Sequence, residues 1–92
     1  MSKIKSLEDL INVCRDRWLE LADIKHDYLN DKGRGAMDAY RSILWHASFH
    51  SNLGSLKDDE DFINLVSIPG KDPEYYKILR MCNRAIEDTL KR

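Results

Sequence analysis

The chain has 92 residues, 42% of them hydrophobic and 34% charged, with four glycines and two prolines; this is the composition expected of one folded unit spanning residues 1–92. Fifteen basic and sixteen acidic side chains leave a formal net charge of −1, which excludes a global field toward nucleic acid or membrane and leaves recognition to the local arrangement of charge. The N-terminal stretch has no apolar run of signal-peptide length, no segment approaches a membrane span, and Cys14 and Cys82 fit no C-x-x-C pattern, so a cytoplasmic chain with buried free thiols is expected, a disulfide being the alternative.

In chain order, "SLED" places a capping serine, Ser6, three residues before Asp9, the signature of a helix start. Leu7, Leu10, Ile11, Cys14, Trp18, Leu21, Ala22, Tyr28 and Leu29 then recur at helical spacing, with Lys25 inside the stripe and Asp9, Asp16, Glu20, Asp23 and Asp27 opposite it. This predicts a first helix ending near Leu29, apolar within and acidic without. "NDKGRG" predicts the turn that ends it, with Gly33 and Gly35 free to take positive φ. A second helix is expected from Ala36 to about Leu53, closing at Gly54. The acids of "SLKDDED" precede a short third helix over "FINLVSI", and Asp72-Pro73 opens a fourth. That last helix is expected to bury Tyr75, Ile78, Leu79, Cys82, Ile86 and Leu90 and to show Lys77, Arg80, Arg84 and Lys91 outward. No segment alternates with period two. The pattern predicts an all-α fold, a small helical bundle of three long helices plus one short helix.

The second helix carries the candidate chemistry. Ala36, Tyr40, Ile43, Leu44 and Ala47 form one apolar side, while Trp45 and Phe49 fall on the other beside Asp38, Ser42 and Asn52. A small bundle has little room for a helix enclosed all round, so Trp45 and Phe49 are expected to form a partner interface. His46 and His50 have the i, i+4 spacing of a zinc pair, but no glutamate lies between them and zinc needs a third ligand. They read as border histidines, with no metal and no cofactor expected. Ser42, Ser48 and Ser51 are near histidines in sequence without an evident orienting acid, so no catalytic serine is expected.

Arg41 and His46 form an R-x4-H spacing that resembles the motif of HEPN-type ribonucleases, all-α proteins in which an Arg/His pair assembled across a dimer cleaves RNA. The resemblance covers six residues, and Ser42 stands where that motif usually has an amide, acid or imidazole. It implies that Arg41 stabilises phosphate charge and His46 acts as general acid or base.

Two further binding features remain. Lys32, Gly33, Arg34 and Gly35 precede a helix start, where backbone amides can hold a phosphate or nucleotide together with Arg41. The basic row Lys77, Arg80, Arg84 and Lys91 offers a face to nucleic acid or an acidic partner, interrupted by Glu87 and Asp88. The leading expectation is a non-enzymatic interaction protein: an inhibitor, adaptor or accessory factor of the kind common among phage genes. Its partners are expected to be another copy of itself (a homodimer or larger homo-oligomer) and another protein, through Trp45 and Phe49. Phosphate-ligand binding and nucleic-acid binding stand as alternatives, with the RNase-like site last; no membrane partner is expected.

Overall fold

The computed structural model describes residues 4–24, 29–68 and 73–91. Among these, five α-helices and no strand occur: α1 (Leu7–Ala22), α2 (Asp31–Ala47), α3 (Leu53–Lys57), α4 (Glu60–Ser67) and α5 (Pro73–Leu90). The fold is all-α, and the helices expected at the sequence level divide differently.

Four of the five starts are fixed by a polar side chain that takes a first-turn amide. Ser6 Oγ accepts from Asp9 N at 3.2 Å, while Asp9 Oδ2 reaches back to Lys5 N at 3.0 Å. Asn30 Oδ1 accepts from Gly33 N at 2.8 Å, Asn52 Oδ1 from Ser55 N at 2.8 Å, and Asp59 Oδ1 from both Asp61 N and Phe62 N. The expected Asp72 cap lies outside the described residues, as do Lys25, His26, Asp27 and Tyr28.

Three boundaries correct the sequence reading. The first helix stops at Ala22 with Asp23 as its C-cap, not near Leu29. "NDKGRG" is not a turn before the second helix but its cap and first turn, and no described glycine has positive φ. The reason lies in Asn30 and Leu29. The Asn30 side chain captures an orphan amide, and the buried Leu29 packs so close over Gly33 that a Cβ there would sit 2.9 Å from Leu29 Cδ2. Glycine here serves a close approach rather than a reversal. The second helix also ends at Ala47 rather than Leu53. Phe49 N and His50 N donate to His46 O and Ala47 O, a tightening to i→i−3 bonds, and Asn52 then caps a new helix that contains Gly54.

α2 lies along α1 on one side and α5 on the other, while α3 and α4 pack on each other and on α5. Leu10, Cys14, Ile43, Leu56, Phe62, Leu79 and Ile86 are fully enclosed. Trp18, expected in the core, is half-buried, and Leu90, also expected there, is 46% exposed. Thr89 Oγ1 donates to Ile4 O at 2.6 Å, tying the end of α5 to the segment before α1. Both cysteines are free thiols. Cys14 in α1 and Cys82 in α5 are hydrogen-bond partners; the shared hydrogen bond, together with burial, pushes the Cys14 thiol well up. No helix among the described residues is long and apolar enough to cross a membrane.

Candidate functional site

The two apolar sides of α2 meet different fates. Ala36, Ala39, Ile43 and Ala47 are buried against α1 and α5. Arg34, Asp38, Arg41 and Trp45, within about 60° of one another on a helical wheel, are all exposed. Phe49, just past the helix end, continues their row. Trp45 is 64% and Phe49 66% exposed, and their rings meet edge to face with centroids 5.2 Å apart and planes at 81°. The two rings thus contact each other and are otherwise largely uncovered. Roughly 200–300 Å² of aromatic surface stands open here; covering it would contribute about 5–8 kcal/mol before association entropy is counted.

Arg41, Trp45 and His46 line an open cleft of about 550 Å³ on this helix. Arg41 is exposed, whereas the His46 ring turns inward and meets Phe62 of α4 edge to face at 6.1 Å. The two residues of the R-x4-H spacing thus share a cleft but diverge by about 140° around the helix. Ser42 also turns inward, its hydroxyl 3.0 Å from the Tyr75 hydroxyl of α5.

His50 lies beyond the helix end, so it does not share a helical face with His46 as the i, i+4 spacing implies. It joins a constellation that the sequence did not announce. Its Nε2 is 2.6 Å from Asp59 Oδ2 and its Nδ1 is 2.7 Å from Ser55 Oγ. An ionised carboxylate only accepts, so the proton sits on Nε2; in the neutral ring Nδ1 accepts the Ser55 hydroxyl. The order hydroxyl–imidazole–carboxylate is that of a polarised serine, with the two ring nitrogens exchanged relative to the usual triad. In the fold these three groups clasp the segment after α2 to the first turn of α3 and to the N-cap of α4. A sequence signal existed in the close spacing of His50, Ser55 and Asp59, but only the break after Ala47 turns the imidazole toward the other two.

The His50 hydrogen bond, supported by the amides of Phe62 and Asp61, holds the Asp59 carboxyl below its ordinary value against a smaller upward push from burial. A folded-state pKa below the unfolded one contributes stability at neutral pH that is lost as pH falls through the folded value. The thermal midpoint of the wild type is therefore expected to fall on acidification below about pH 4, and Asp59→Asn to start lower and fall less over that range. An unchanged acid slope in Asp59→Asn, measured by circular dichroism melts between neutral pH and pH 3, would contradict the clasp.

The remaining sequence candidates separate. Lys32 and Arg34 are exposed on the first turns of α2, but the Gly33 amide is occupied by Asn30 and Gly35 is buried; the expected cradle of free amides before the helix is instead helix. Lys77, Arg80, Arg84 and Lys91 all stand exposed along α5. Glu87, which interrupts that row, takes Lys57 of α3 at 2.5 Å, and that ammonium, with a smaller contribution from Lys91, holds its carboxyl below the usual range. The chain matches no protein-family model, no curated protein and no solved structure.

Proposed function

We propose that the protein is a non-catalytic interaction module, an inhibitor, adaptor or accessory factor, that works by protein–protein contact through the outer face of α2. One observation carries this reading: Trp45 and Phe49, in edge-to-face contact with each other, are about two-thirds exposed on a face otherwise made of Arg34, Asp38 and Arg41. Tryptophan and arginine are the residues most often found as energetic anchors at protein contacts, and charged side chains around them form the polar rim. Neither ring is enclosed by the described chain.

The test is the mass in solution, by light scattering after size exclusion, of the wild type and of Trp45→Ala/Phe49→Ala. The expected result is an assembly in the wild type that the double variant loses while its helical circular dichroism is unchanged. A double variant that keeps the wild-type mass removes this face from the assembly.

A further inference from the structure

We propose that the outer face of α2 receives a second copy of this chain, the two α2 helices lying antiparallel about a two-fold axis level with the Ala39–Tyr40 peptide bond. The proposal rests on the reading just given and adds to it the identity of the partner and the register of the contact.

A two-fold contact sets one patch against itself, so the patch must be self-complementary. The row on α2 has that property in one register. Asp38 and Arg41 lie equally far on either side of the Ala39–Tyr40 level, and so do Arg34 and Trp45. With a rise of 1.5 Å per residue, these positions stand about 2 Å and about 8 Å from the axis. An antiparallel copy therefore brings Asp38 level with Arg41 of the second chain, and Arg34 level with its Trp45, each twice by symmetry. The contact gains two ion pairs near the axis and two guanidinium–indole contacts outside them. All four side chains are exposed, and none of the three charged ones makes an ion pair among the described residues.

Other arrangements of the same face lose this match. An axis level with Ile43 joins Arg41 to Trp45 but leaves Asp38 facing Ser48, and one level with Ala36 sets Arg34 opposite Asp38 and Arg41 opposite Asp31 but carries Trp45 past the start of the second α2. A parallel pair sets Arg34, Asp38 and Arg41 each against its own copy, three like-charge oppositions. The charges and the seat of Trp45 on the second helix together select one register, while Trp45 and Phe49 supply the apolar surface. A single helix face is smaller than the about 800 Å² per partner of a standard interface, so the contact is expected at the weak end of the affinities that interfaces show, on the order of micromolar.

The experiment is a charge swap read by light scattering at about 0.5 mM protein, well above that range, with circular dichroism as the fold control. Asp38→Arg alone and Arg41→Asp alone each set like charges across the axis, and each is expected to run as a monomer. Mixed one to one, the two variants restore both ion pairs and are expected to return to the dimer mass, as is Asp38→Arg/Arg41→Asp in one chain. Asp38→Lys and Arg41→Glu repeat the swap should either first variant lose helicity. A wild type that is monomeric at this concentration overturns the second copy as partner. A wild-type dimer that Trp45→Ala/Phe49→Ala dissolves, but that the mixture does not restore, overturns the register and leaves the α2 face as the contact. Single variants that stay dimeric overturn both partner register and charge match.

Discussion

Phe62→Ala is expected to remove about 3–5 kcal/mol of folding stability. Phe62 is fully enclosed, sits in the first turn of α4, and meets the His46 ring edge to face. α4 has eight residues, too few to hold a helix alone in water, so it persists by anchoring Phe62 and Val66 in the core. Truncating the ring leaves a cavity and loosens α4 together with the Asp59 cap and the His50 clasp at its start. In a domain of this size the loss lowers the thermal midpoint by on the order of 20 °C. Urea denaturation of the variant checks it. Phe49→Ala is the control: the same deletion at a residue 66% exposed is expected to change stability by no more than about 0.5 kcal/mol. Equal losses in the two variants would mean that Phe49 is packed in solution.

Ala39→Leu is expected to cost about 1–3 kcal/mol for the opposite reason. Ala36, Ala39 and Ala47 line the buried side of α2 around Ile43, and Ala39 has no exposed surface at all. Small side chains there let α2 sit between α1 and α5 at close range, and a leucine has nowhere to go without parting the helices. Alanine and leucine are both strong helix formers, so a drop in the urea midpoint reports packing rather than helix propensity. A midpoint at or above that of the wild type would place spare volume beside α2.

Much of this architecture is written locally. Ser6 and Asp9 mark the start of α1, Pro73 stands at the start of α5, and the spacing of Tyr75, Ile78, Leu79 and Ile86 gives the buried side of α5 as observed. The division of α2 into an alanine-rich side and an aromatic side also follows from the helical period alone. These features are legible because each depends on residues three or four apart, within one turn of backbone.

Where the reading went astray, two local rules competed. Gly33 and Gly35 favour a reversal, but Asn30 offers a cap and Leu29 needs the space over Gly33, so the helix starts five residues earlier than glycine content suggests. Between Ser48 and Asn52 the chain has one apolar residue, Phe49, at helical spacing from Trp45. It breaks because the Asn52 cap starts a separate helix, and His50 is then held by Ser55 and Asp59.

The sequence by itself determined that this protein is helical, that one helix has two apolar sides, and that charge is sorted by face rather than by net excess. Only the tertiary structure decided which apolar side is covered. Burial is a property of what α1, α4 and α5 can reach: they close over Ala39, Ile43 and His46 and stop short of Trp45 and Phe49. The His50 clasp belongs to the tertiary structure for the same reason, since its three groups converge only after the chain has turned out of α2.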